Sequence, residues 1–225
     1  NGLLNQRNFI ISKNQNPMKL FNKLILFFLL GFTVYSCKPD TAIPNTESGV
    51  NLVSDYKNDV VYEWNELWLI IDKDAKGYRP GPGPKAQAYI GLAAYETAIP
   101  GMPSFKSMKG QWGSELRIPE FPNHDKIHWA AAINASYYFM YKNFFKNTTF
   151  VEGNGHLTHA EAQRLIDNKY ARFEAEFKNE VSNTEYTNSI AWGQSVARAV
   201  WDWYTTTEPI AFEADLNPLS NDPSK

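Results

Sequence analysis

Cysteine is nearly missing from this chain: one residue, Cys37, in 225. A disulfide framework and a CxxC zinc or redox site each need at least two thiols, so neither can be built within it. Long apolar runs are also lacking. The longest, Leu24 to Val34, holds about 11 residues, where a membrane-spanning helix takes about 20. Positive charge is scarce in the body: residues 1–36 carry Arg7, Lys13, Lys19 and Lys23 and no acid, so beyond them 18 bases face all 24 acids. An acidic body argues against a nucleic-acid partner. No nucleophile elbow, phosphate loop, dinucleotide fingerprint, calcium loop or HExxH pair occurs. Gly81 and Gly83 alternate with prolines, which have no N–H to offer an anion nest. No convincing β-type alternation and no repeat period is present.

What is present begins with an export signal. Met18, Lys19 and Lys23 precede the Leu24–Val34 run, which has the length of a secretory h-region. Val34-Tyr35-Ser36-Cys37 resembles a bacterial lipobox, with Tyr35 an unusual occupant; the pattern makes Cys37 the lipidated first residue of an exported, membrane-anchored cell-envelope protein. An ordinary cleaved signal that leaves Cys37 as a spare thiol is the alternative. Residues 1–17 read as an upstream extension, 18–36 as the signal peptide and 37–49, polar with two prolines, as a tether. Residues 50–225 form the domain.

Within that domain the apolar spacing is helical. Val53, Tyr56, Val60, Trp64, Leu67 and Ile71 predict one helix of about five turns, ended near Gly77, with the prolines at 80, 82 and 84 blocking continuation. Lys85 to Ile99 is rich in alanine and predicts a helix that a neighbouring backbone approaches closely. Asn123 is a good N-cap for a third helix running to about Lys146, with Trp129, Ile133, Tyr137, Met140 and Phe144 in register. Thr158 with Glu161, and Ser182 with Glu185, are capping boxes ahead of two further periodic runs. The fold class is therefore all-α, a bundle of about five helices.

Histidine supplies the nearest approach to a metal site. His124 and His128 are four residues apart and would share a helix face, but no third ligand is evident. The plainer reading puts His124 near a helix N-terminus and packs His128 beside Trp129. His156 and His159 flank a helix start. Glu63 and Glu66 fall off the apolar stripe and read as a solvated face rather than an acid–base pair. The seven tryptophans, most of them in register on helical faces, read as core rather than as a sugar-binding platform.

Several stretches go further. Trp64-Asn65-Glu66, Gly77-Tyr78-Arg79-Pro80, the run from Ala88 to Glu96, Pro100-Gly101-Met102, His128-Trp129 with Asn134-Ala135, and Val200 to Trp203 follow one another in an order that resembles the N-terminal half of bacterial vanadium-dependent haloperoxidase-like proteins of the type 2 phosphatidic acid phosphatase superfamily. The resemblance spans about residues 55–207. It implies a helical bundle whose vanadate- or phosphate-holding site comes from three later motifs, Lys with a following Arg-Pro, Pro-Ser-Gly-His, and Ser-Arg followed by His. Cations and backbone donors there neutralise an oxyanion while histidine does the chemistry. None of the three is present in this chain. Lys73 with Arg79-Pro80 imitates the first but has five intervening residues, one too few, and reads as a helix terminus.

No catalytic, cofactor or metal residue is therefore assigned, and Cys37 is the one modification site. The expectation is an N-terminal scaffold portion, with vanadate and a C-terminal catalytic half implied for a full-length family member. The turn-rich run from Asn217 to Lys225 reads as the end of an incomplete gene model. The rival expectation is a non-catalytic surface lipoprotein that binds a glycan or a protein partner.

Overall fold

The computed structural model describes residues 51–111, 115–122 and 126–207. The signal segment, the tether with Cys37, Trp112, Asn123, His124 and the run from 208 onward lie outside the described residues. Five α-helices follow one another: α1 (Asp59–Asp72), α2 (Pro82–Ala98), α3 (Trp129–Phe144), α4 (His159–Phe177) and α5 (Asn183–Thr207). Among the described residues no strand forms, and one antiparallel bridge joins Ala75 to Phe150. The domain is all-α, as its periodicity predicts. No helix among the described residues is long and apolar enough to cross a membrane.

The first expected helix is two pieces. A 3-10 turn, Val53–Asp55, ends at an extended Tyr56, and α1 begins only at Asp59. Ser54, Asp55 and Asn58 compete for backbone donors and favour caps over helix interiors, and the Asp55 carboxylate accepts the Leu52 N–H at 2.9 Å. Val53 and Tyr56 still pack on the core, so the stripe marks burial correctly while the chain between them turns. Within α1, Val60, Trp64, Leu67, Trp68 and Ile71 are buried. Each such side chain contributes about 1.5–3 kcal/mol on burial. The opposite face leaves Tyr62, Leu69 and Ile70 exposed.

Proline starts α2 rather than delaying it. The helix opens at Pro82, three residues before the expected Lys85, because the first turn has no N–H bond for proline to lose. Its buried alanines, Ala86, Ala93, Ala94 and Ala98, let it lie against α3 and α5. The last turn passes into a 3-10 turn, Ile99–Gly101, where a Cβ on Gly101 would stand 2.5 Å from the Trp129 indole.

At the centre lies α3, which touches all four other helices. Every residue from Trp129 to Tyr137 is buried, as expected of a helix surrounded on all sides. It starts at Trp129 and not near Asn123: His128 is extended, and its own imidazole caps the helix by accepting the Ala131 N–H at 3.0 Å. Against α3 runs α5. A Cβ on Gly193 would lie 2.0 Å from the Ala132 carbonyl oxygen, so the two backbones meet there with no side chain between them.

The first capping box forms in full and the second shows its hydroxyl half. The Thr158 N–H reaches Glu161 Oε2 at 2.8 Å while Thr158 Oγ1 accepts the Glu161 N–H at 3.2 Å. Ser182 Oγ accepts the Glu185 N–H at 3.2 Å. Helix α4 buries a single stripe, Ala162, Ile166, Phe173 and Phe177, and covers α1 and α3.

Candidate functional site

A cleft of about 200 Å³ opens where the turn before α1, the start of α3 and the end of α4 converge. It exists because the chain breaks at Tyr56 instead of continuing as helix, which lets Tyr56 lean its ring on His128. The two centroids are 4.6 Å apart and nearly perpendicular. His128 also contacts Phe177 at 4.8 Å, and Phe177 stacks on Phe173 at 5.4 Å. Four rings thus run in series, three of them almost wholly buried. Carboxylates of Asp55, Asp59, Glu176 and Glu180 line the same cleft, with Lys57 as its one cation. The Tyr56 hydroxyl is raised above its ordinary pKa by burial and by the negative charges of Glu185, Asp55 and Glu180, opposed by a hydrogen bond from Asn51.

His128 is 1% exposed, and its ring has no nitrogen to spare. Nδ1 accepts the Ala131 N–H, which leaves the proton on Nε2, and Nε2 donates to Glu180 Oε2 at 2.8 Å. Its backbone N–H is taken by Ser189 Oγ at 2.8 Å. With both ring nitrogens committed, His128 offers a metal no lone pair and acts as a clasp joining α3 to the end of α4. Among the described residues no three His, Cys, Asp or Glu side chains gather as a metal site would need.

His156 and His159 are placed by carboxylate and backbone partners. His159 Nε2 donates to the carbonyl oxygen of Lys146 at 3.0 Å, beyond the end of α3. His156 Nδ1 meets Asp74 Oδ1 at 2.8 Å, and Asp74 Oδ2 accepts the Leu157 N–H at 2.9 Å. These bonds, His156 first, hold the Asp74 carboxyl below its ordinary value of about 3.9. A depressed folded-state pKa contributes stability above the unfolded value and loses it as pH falls through the folded one. The chain should therefore weaken on acidification from about pH 4 downward. In Asp74→Asn, urea midpoints measured between pH 5 and pH 2 should show a shallower fall.

The lysine and arginine that imitate an anion-binding motif are turned to other work. Arg79 Nε lies 2.5 Å from Asp72 Oδ2, and Lys73 Nζ lies 3.9 Å from Asp74 Oδ2. Each cation already has a carboxylate beside it, Lys73 the more loosely, which makes the pair a poor fit for vanadate or phosphate. Both cations follow the last turn of α1, the place where positive charge is favoured. Glu66 is exposed as expected, but Glu63 is not a free solvated carboxylate: Lys169 and Arg172 of α4 reach it at 2.7 and 2.5 Å, tying α4 to α1.

Of the described tryptophans four lie inward, and Trp201 and Trp203 are half-buried. Trp64, Trp68, Trp129 and Trp192 are buried. Three of their indole N–H groups find acceptors, Trp64 on Asn134 Oδ1 at 2.8 Å, Trp129 on the Asn51 carbonyl at 2.6 Å and Trp192 on the Thr97 carbonyl at 2.8 Å. Glu96, at 1% exposure, accepts from Ser107 Oγ at 2.7 Å and from the Met108 N–H at 2.6 Å, closing the loop after α2 onto that helix. Neither Glu96, Asp74 nor Glu180 carries a local sequence signal; their hydrogen-bond partners lie between 11 and 83 residues away. No protein-family model, no curated protein and no solved structure matches the chain.

Proposed function

We propose that this chain is the N-terminal helical scaffold of an exported, lipid-anchored protein similar to vanadium-dependent haloperoxidases and type 2 phosphatidic acid phosphatases, without an oxyanion site of its own among the described residues. The observation that carries this reading is that several of the stretches bearing the resemblance hold one another or the segments beside them. Trp64 of the first holds Asn134 of the fifth at 2.8 Å, and Asn65 reaches the Tyr137 hydroxyl at 3.3 Å. Gly101 lies against Trp129, and Tyr95 with Glu96 grips the loop at Lys106, Ser107 and Met108. Residues that share a spaced pattern and meet in one core are what a scaffold signature consists of; they position helices and leave chemistry to other groups.

The cations described above do not fit vanadate, so no reaction step is assigned to them. Lysines, arginines and histidine on polypeptide beyond the described residues would supply the anion site. The rival reading, a glycan-binding surface protein, draws less support, since Trp64, Trp68, Trp129 and Trp192 lie inside the core and, of the described tryptophans, Trp201 and Trp203 alone keep part of their surface open.

Purified as it stands, the chain should neither oxidise bromide or chloride with peroxide nor hydrolyse a phosphomonoester, with or without added vanadate. Turnover above a buffer blank, lost on gel filtration away from the protein peak, would be contamination; turnover that follows the peak refutes the proposal.

A further inference from the structure

We infer that the loop after α2, residues 102–111, docks this domain on an anionic bilayer, with Phe105 entering the headgroup boundary and Lys106 and Lys109 resting on lipid phosphates. Three observations lead there, and the first is charge. From Ala75 to Ser114 the chain holds five bases and a single acid, Glu96, which is buried and bonded to the loop itself. Of the 18 bases and 24 acids beyond residue 36, that leaves 13 bases to face 23 acids elsewhere. An anionic surface repels such a body and, because charges act over about 10 Å in 0.1 M salt, selects the orientation that brings the acid-poor stretch against it.

The second is the ring. Phe105 is 60% exposed, next in sequence to Lys106, and an apolar ring in water beside cations is the composition of an interfacial anchor. The third is that this ring is held out rather than left loose. The Tyr95 hydroxyl donates to the Lys106 carbonyl at 2.7 Å, Glu96 takes Ser107 Oγ and the Met108 N–H, and the Phe105 N–H closes a turn on the Met102 carbonyl at 2.9 Å. A loop fixed on both sides of its exposed ring has already lost the freedom that docking would otherwise cost. The outer face of α1, with Tyr62, Leu69 and Ile70, is as apolar but carries exposed Asp59 and Glu66, so the same surface turns it away. One ring and two lysines are a weak contact alone. On the lipid-anchored reading proposed above, on which this rests, residues 37–49 span at most roughly 45 Å and keep the domain near enough for a weak second contact to hold.

The test supplies the tether without relying on acylation. The full chain, carrying Cys37→Ser and an amino-terminal hexahistidine tag, is held on phosphatidylcholine vesicles by a nickel-chelating lipid, with or without phosphatidylglycerol. A polarity-sensitive acrylodan label sits on Phe105→Cys or, as the matched control, on Leu69→Cys, both exposed positions that leave the core untouched. On phosphatidylglycerol the label at 105 should shift its emission to the blue, and the label at 69 should keep its value in water. Without phosphatidylglycerol neither should move. Lys106→Gln with Lys109→Gln should lower the inserted-to-free ratio by about tenfold or more, since each lysine near an anionic surface is worth about fivefold. Salt at about 1 M, which screens charges beyond roughly 3 Å, should release the loop. An unmoved label at 105, an equal shift on phosphatidylcholine alone, a shift at 69 in its place, or an unchanged ratio in the double lysine variant would overturn the inference. Acylation of Cys37 is read separately, from the mass of the mature chain recovered from cell membranes, so a chain without lipid would refute the anchored reading and leave the loop's result standing.

Discussion

Adding one methyl group at Gly193 should cost this domain about 3 kcal/mol or more, a large share of the roughly 5–15 kcal/mol by which an ordinary domain is stable. The Cβ of Gly193→Ala would stand 2.0 Å from the Ala132 carbonyl oxygen and 2.8 Å from its carbon, and these are backbone atoms that no rotamer change can move. Helices α3 and α5 would have to separate along their length, loosening the most extensive helix pair in the bundle. Gly91 is the matched control. It lies within α2, and a Cβ there meets nothing within 4 Å, so Gly91→Ala should stabilise the helix by roughly 0.5–1 kcal/mol. Urea titrations of the two variants should move in opposite directions. A Gly193→Ala protein as stable as the parent would mean that the two helices do not cross as described.

A comparable loss is expected from Trp64→Ala, about 3–5 kcal/mol. Trp64 is fully buried, stacks parallel to Tyr137 at 5.8 Å and meets Tyr141 edge-on at 4.8 Å, so truncation empties a space between α1 and α3. Asn134→Ala removes far less volume yet leaves the Trp64 indole N–H without its acceptor, at a cost of about 1–3 kcal/mol. Trp64→Phe combined with Asn134→Ala removes donor and acceptor together. In a double-mutant cycle by urea unfolding, the pair should therefore lose less than the sum of the single variants, by about 1 kcal/mol. Additive losses would show that the bond at 2.8 Å carries no coupling.

Periodicity located what is buried better than it located where helices begin. The five helices and the registers of α3, α4 and α5 were legible because apolar side chains recur at helical spacing and because Thr158–Glu161 and Ser182–Glu185 announce their starts. The errors fall at ends decided by one side chain's local bond. Asp55 capped a short turn and split the first helix, and Pro82 opened α2 since proline fits a first turn. The imidazole of His128 replaced a conventional cap and set the start of α3.

The cleft was less legible than the fold. Tyr56 and His128 were each visible, one as a stripe residue and the other as a buried packing residue, but their meeting with Phe173 and Phe177 is a product of tertiary approach. Glu63 was misjudged for the same reason. Its position off the apolar stripe says that it faces away from α3, and only the placement of α4 brings Lys169 and Arg172 within reach. Glu180 reads in sequence as one more surface acid, because its partner lies 52 residues upstream.

The enclosure of α3 has an evolutionary consequence. Ala131, Ala132 and Ala135 have neighbours on every side, and Gly193 has no room to grow, whereas most of α4 looks outward. Drift in this lineage is thus channelled: the outward positions of α4 are open to replacement, while a handful of small residues near 131–135 and 193 must stay small or change in concert. Descendants of this bundle would then share a sparse set of spaced, diminutive positions rather than broad identity, and two of them could diverge beyond easy pairing while the same five helices persist.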